Sequence, residues 1–320
     1  MNNIRLKELV VAVLCGGAIV ASFLFWRTTT QAISEESFTS YGHYIASVGS
    51  LAIAASLFGI AAIFVQNAAV IYAAVAISIA IPFLFVSANS LTLAVMGCCI
   101  FLGLFSVRRI RKETSLSFGF NMANLFKAGV PLFLTVWGII ISLFYLNDVQ
   151  KKDAIRTIFP RTAFDVTIRA LGGPLRSLTG SESFTPDETV NQFFQGLVKK
   201  QLADRGINID QISAGEMQRL LTQQRTEIAR SYGIKLTGNE KLGDVFYTTI
   251  IERITDLLGP YREYVPYASA LTFFLAFKTL SFFLYLAVLA IAFLLIKIMM
   301  MGGILIRKKE QIEVERVTLS

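Results

Sequence analysis

The chain is poor in the residues that most protein chemistry needs. Among 320 residues it has one histidine, three cysteines and 22 acidic residues. A lone His43 cannot build a metal site, and by itself it makes a poor catalytic base. Beside Tyr41 and Tyr44 it reads as an interfacial packing residue. Cys15, Cys98 and Cys99 all fall in apolar sequence. Adjacent cysteines rarely bridge each other, and the polar middle of the chain has none, so no disulfide framework is expected. The three read as small apolar packing residues. Charge is also scarce: 16% of residues are charged, against about 25% in a soluble domain. With 54% hydrophobic residues, that excludes both a single soluble enzyme and a disordered polar chain.

Aspartate and glutamate are missing from every long apolar run. Proton-driven pumps and many cation-coupled carriers keep carboxylates at mid-membrane, because a moving cation needs a partner there. Intramembrane proteases need paired Asp, Ser with His, or His-Glu-x-x-His, and none of these can be assembled. A phosphate-binding Gly-x4-Gly-Lys-Ser/Thr loop is absent too. The acids of Asn147-Asp148 and Asp153 are too widely spaced for an Asn-Asp-x-x-Asp magnesium motif, and no second acidic motif accompanies them. They read as a solvated span end. These absences predict no catalytic site, no metal and no cofactor.

What the chain does have is apolar length. Its runs approach the ~20 residues needed to cross a ~30 Å hydrocarbon core. The first is 9–26, behind a short basic amino end; it is longer than the ~7–15-residue core of a signal peptide and lacks a clean cleavage site, so it reads as an uncleaved span. Sequence 44–107 is nearly continuous and is broken only at Gln66-Asn67 and 87–90, giving spans at 44–65, 68–86 and 91–107. Ala55 with Gly59, Ala69 with Ala73, and Ala76 with Ala80 place small residues four apart, the spacing that lets helix backbones approach in lipid. Pro82 is expected to kink the third span, since it removes a backbone donor. The fifth span is 128–146.

The last apolar region, 265–306, is about twice as long as one crossing requires. Either it is a hairpin turning at Lys278-Thr279-Leu280-Ser281, or one span covers about Phe282–Ile304 while Pro266–Phe277 lies along the outer interface or against the soluble part. A hairpin puts Arg307, Lys308 and Lys309 outside, against the cation rule, so the single span is preferred. Lys278 then sits at headgroup depth as a candidate lipid-headgroup contact. Lys297 snorkels at the inner end.

Net charge is +8 with a pI near 9.4. Residues 148–265 contain 16 Lys/Arg and 15 Asp/Glu, so +7 of the excess lies elsewhere. It clusters at Arg5 and Lys7; at Arg108, Arg109, Arg111, Lys112 and Lys127; and at Arg307, Lys308, Lys309 and Arg316, each flanking an apolar run. Such clusters anchor cytoplasmic loops. A nearly neutral polar region gives no footprint for nucleic acid.

The fold expected is all-α: about six transmembrane helices and one extracytoplasmic helical-bundle domain. Residues 1–147 hold five spans, 148–265 the outer domain, 266–306 the interfacial segment and last span, and 307–320 a basic cytoplasmic tail. Within 148–265, Thr185-Pro186-Asp187-Glu188 reads as a helix start. The helix it opens carries Val190, Phe193, Phe194, Leu197 and Val198 on one face. Ser213-Ala214-Gly215-Glu216 is a capping box opening a helix that stops at Gly233. A third helix runs from about Lys241 to Leu258. A shorter one around Ala163–Leu171 groups Phe164, Ile168 and Leu171 and is a candidate to lie on the bilayer surface.

The function expected is a non-catalytic multi-pass protein of the plasma membrane, with both termini cytoplasmic. It would act as an envelope scaffold or complex subunit whose outer domain contacts a protein partner, another copy or the membrane surface. One alternative is a channel or facilitator subunit in which the helix cluster 44–107 lines a path, with Ser47, Ser50, Ser56, Ser78 and Ser87 as candidate lining hydroxyls. Another is a membrane enzyme using Asp148, Asp153 and Arg156.

Overall fold

Long uninterrupted apolar runs leave the backbone no partner but itself, and helices follow. The computed structural model describes residues 2–34, 41–116, 121–150, 154–179, 185–204, 206, 213–303 and 305. Among them no β-strand occurs. The helices are α1 (Asn2–Ser34), α2 (Tyr41–Phe64), α3 (Ala68–Ala80), α4 (Ser90–Leu116), α5 (Met122–Gln150), α6 (Ala154–Ile158), α7 (Arg161–Thr179), α8 (Val190–Asp204), α9 (Ala214–Tyr232), α10 (Leu242–Leu258) and α11 (Val265–Met301). Six helices are long and apolar enough to cross a membrane: α1, α2, α3 with the 3-10 turn Ile81–Phe85 that extends it, α4, α5 and α11. Arg307, Lys308, Lys309 and the rest of the basic tail lie outside the described residues, as does Asp153.

The chain divides into two compact units: one takes the described residues of 1–32, 39–147 and 270–320, the other those of 33–38 and 148–269. In the first unit, consecutive apolar helices run antiparallel. At one end, Glu8 near the start of α1 accepts from Asn67 N–H in the α2–α3 turn at 3.2 Å. Arg111 late in α4 donates to carbonyls of that same turn. Tyr285, in the later half of α11, donates to the Ala123 carbonyl at the start of α5. At the other end, Thr29 bonds Ser47 between α1 and α2 at 2.6 Å, and Phe23 packs on Phe85 and Phe144. Between them Phe58 of α2 stacks on Phe133 of α5, with ring centroids 4.0 Å apart.

Three expectations change here. Pro82 does not kink an α-helix: α3 stops at Ala80 and a 3-10 turn takes over, because proline suits the first positions of a new helical segment. The last apolar region is neither a hairpin nor a span preceded by a separate segment. α11 is one helix of 37 residues, about 55 Å at ~1.5 Å per residue. Phe273 stacks on Tyr145 of α5, and Phe277 meets Trp26 of α1 edge-on. Pro266–Phe277 therefore continues the helix, and those aromatic contacts hold its later part in the first unit. Finally, of the small-residue pairs, only Ala55 with Gly59 sits in a tight interface, where Gly59 admits the Phe126 ring. Ala69 and Ala73 face outward.

In the second unit two helix–loop–helix segments, α7–α8 and α9–α10, meet through one antiparallel bridge between Thr189 and Lys241. Val190 N–H donates to the Glu240 carbonyl at 3.0 Å and Leu242 N–H to the Glu188 carbonyl at 2.8 Å. Val190, Phe193, Phe194 and Leu242 form the core, with Ile168, Leu221, Ile228 and Val245 packed against it. Ile168 thus faces this core, and Phe164 packs edge-on against Tyr247 of α10. The α7 face expected on the bilayer surface is used inside the unit, where aromatic and aliphatic partners are available. The side chain of Leu171 lies outside the described residues.

Candidate functional site

The functional candidates are the charged and hydroxyl groups that the apolar helices carry. Lys278 lies within the long apolar helix α11, beside α5. Its ammonium donates to Thr135 Oγ1, and the Thr135 hydroxyl in turn donates to the Pro131 carbonyl at 2.9 Å. With its proton committed to Pro131, the Thr135 oxygen turns its lone pairs to the lysine. Thr135 lies near the middle of α5, roughly 20 Å from each end at ~1.5 Å per residue. Lys278 is therefore further along the bundle than the headgroup position expected of it. The continuous α11 explains this: without a break at 278–281, the residue is carried alongside α5 instead of stopping above it.

The cation anchors divide into two kinds. Arg108, Arg109 and Lys112 are exposed. Arg111 is half-buried, and its guanidinium donates from Nη1 to Val65 O at 2.6 Å and from Nη2 to Gln66 O at 2.8 Å. It satisfies two carbonyls that the end of α2 leaves without a helical partner. Lys7, Lys127 and Lys297 are exposed toward the same end. Arg27 lies at the other end, 4.6 Å above the Phe85 ring.

Of the five hydroxyls proposed to line a path, Ser47, Ser50, Ser56 and Ser78 hydrogen-bond within the bundle. Ser47 bonds Thr29 and donates to the Phe25 carbonyl. Ser56 donates to Ala52 O and Val288 O, tying α2 to α11. Ser78 donates to Ala74 O at 2.6 Å, and Ser87 is exposed. Thr29, Ser47 and Ser56 are buried and join helices, as small hydroxyl residues do in apolar bundles. Cys15 and Cys99 are buried packing residues, whereas Cys98 is exposed.

Sequence reasoning missed a small space among Phe23, Trp26, Arg27, Thr30, Ile140, Ile141 and Phe144, about 10 Å³ and so of the size of one water molecule. Trp26 Nε1 is buried with no hydrogen-bond partner among the described residues. An aromatic–basic pair late in an apolar helix was the available signal.

In the helical unit the polar groups close on each other. Arg161 opens α7 and reaches Gly243 O at 2.8 Å and Asp244 at 2.9 Å on α10, as well as Asp165 at 2.9 Å one turn along. Its guanidinium also lies 5.2 Å from the Tyr247 ring centroid. Asp187 pairs with Lys241 at 3.2 Å and Arg169 at 3.4 Å. Partial burial pushes the Glu240 carboxyl up, yet the N–H groups of Thr237 and Gly238, each at 2.6 Å, prevail and hold it at about 2. Through Arg161 this arrangement latches α7 to α10. Among the described residues no group of three His, Cys, Asp or Glu side chains is placed to hold a metal. The chain matches no protein family, no curated protein and no solved structure.

Proposed function

We propose that this is a non-catalytic multi-pass membrane protein, an envelope scaffold or complex subunit, whose helical unit over 148–265 lies outside the cytoplasm. One observation carries the reading. Among the described residues of the apolar unit, Lys7, Arg108, Arg109, Arg111, Lys112, Lys127 and Lys297 gather toward one end, against Arg27 at the other. Lysine and arginine near helix ends are retained on the cytoplasmic side. With that end inside, the start of α1 and the close of α11 point to the cytoplasm. The chain between α5 and α11 then emerges on the opposite side.

The contact role follows from how that segment uses its residues. Arg161, Asp187 and Lys241 are held in internal pairs, while Val166 on α7 and Phe246, Ile250 and Leu257 on α10 stay exposed and supply an apolar surface for recognition. The occupied serines give the channel reading no specific support.

The test is protease treatment of right-side-out vesicles, followed by purification in mild detergent. Cleavage near Arg219–Arg230 in intact vesicles, with recovery of a defined oligomer or partner, is the expected result. Cleavage there only after the vesicles are opened would invert the threading. A partner-free monomer would remove the scaffold role.

A further inference from the structure

We infer that Lys278, with the apolar stripe around it on α11, docks a partner's membrane helix that carries an aspartate or glutamate at mid-depth. This rests on the membrane reading above and is independent of what the outer unit contacts. An ammonium has three N–H donors. Thr135 takes one, and no other acceptor among the described residues reaches Lys278. Charged groups inside a membrane are expensive and normally pair with one another or with backbone carbonyls. This chain supplies no such pair. Its long apolar runs contain no Asp or Glu, and Glu8 and Glu113 lie at helix ends. A second copy is equally unable to neutralise the lysine, so the carboxylate must come from a different chain.

Depth separates a protein carboxylate from a lipid phosphate. Thr135 is within about 3 Å of the midpoint of the apolar run 128–146, so headgroups lie roughly 15 Å away. A lysine side chain held to Thr135 does not span that gap. The surrounding surface has the form of a helix-packing face. Leu271, Leu275, Phe282 and Leu286 repeat with Lys278 at three- and four-residue spacing and are 50–63% exposed. A separate face of α11, carrying Phe277, Leu284 and Val288, is the one buried in the unit.

The full-length protein, reconstituted in phosphatidylcholine vesicles, is to be mixed with a labelled Leu/Ala transmembrane peptide bearing one central Glu, and association read by energy transfer. Peptides with a central Leu, and with Glu moved to one end, are the comparisons. The central-Glu peptide should associate about tenfold more tightly than either. Lys278→Leu should abolish that preference while leaving the elution profile in detergent unchanged, and Lys278→Arg, which stays charged, should keep it. Equal association of all three peptides, or a preference that survives in Lys278→Leu, overturns the inference. A lysine-dependent signal that appears only when anionic lipid replaces phosphatidylcholine assigns the contact to lipid phosphate and overturns it as well. If alkaline carbonate strips the protein from the vesicles, the membrane reading itself fails; retention without peptide preference sinks the docking site alone.

Discussion

The Ser106 hydroxyl on α4 donates to the Gly129 carbonyl on α5 at 2.7 Å, and the two backbones touch there. A Cβ added to Gly129 would lie 2.6 Å from the Ser106 carbonyl oxygen, which no rotamer can relieve because the obstacle is main chain. Gly129→Ala should therefore destabilise by roughly 1–3 kcal/mol, and Gly129→Leu by more. Ser106→Ala removes only the hydroxyl and should cost about 0.6–1.7 kcal/mol. Thermal unfolding in detergent checks the order, and a Gly129→Leu protein that melts with the parent would refute the close approach.

Arg111 and its neighbours Arg108 and Arg109 should separate cleanly under mutation. Arg111→Gln uncaps two carbonyls at the end of α2 and should cost about 1.5–3 kcal/mol. Arg111→Lys should recover little of this, since one ammonium does not reproduce a two-pronged guanidinium. Arg108→Gln and Arg109→Gln touch exposed groups and should leave the melting temperature unchanged. If positive charge sets the threading, it is this exposed pair whose loss should weaken topology, seen as mixed protection of single-cysteine labels on the two sides.

Helix content was legible in the sequence wherever the cause is local. Ser213 accepts from Glu216 N–H at 3.2 Å while the Glu216 carboxylate accepts from Ser213 N–H at 3.1 Å, and Gly233 closes α9 at φ 68°. Both were readable because cap chemistry lies within a few residues. Non-local features were not. Thr185 looks like the start of α8, but Thr189 and Gln192 form the reciprocal cap, because 185–188 close a turn through Glu188 N–H and Thr185 O at 3.2 Å and Thr189 is held in the bridge to Lys241. The unbroken path of α11 depends on contacts with Tyr145 and Trp26, far away in sequence. Lys278 was visible as a cation in apolar sequence, but its alignment with Thr135 was not, since depth follows from that same path.

The capping box and the core of the helical unit should differ in weight. Ser213→Ala removes one cap at an exposed helix end and should cost about 1 kcal/mol. Phe194→Ala empties the centre of the four-residue core and should cost about 3–5 kcal/mol. The measurement is the rate of proteolysis around α9 in the full chain at matched protein concentration. Comparable rates for the two variants would mean that Phe194 is not anchored as the packing indicates.

Acid should loosen the helical unit through Glu240. Burial pushes its carboxyl up, but the Thr237 N–H, its own N–H, the Thr237 hydroxyl and the Gly238 N–H outweigh that and hold it at about 2, against an ordinary 4.5. A group depressed in the folded state contributes its full stabilisation above the unfolded value. That contribution is lost as pH falls from about 4.5 toward the folded value of about 2. Glu216 is lowered in the same direction, first by the Ser213 N–H and then by its hydroxyl, so both caps weaken together. Melting of the intact protein should therefore fall between pH 5 and pH 3, and Glu240→Gln should flatten part of that slope while lowering stability at neutral pH. The bend at 237–240 explains the direction: once protonated, Glu240 no longer offers a charged acceptor to both N–H groups, and the loop that pairs with Thr189 loses its brace. A Glu240→Gln protein with the parent's pH profile would show that the carboxylate does not brace this turn.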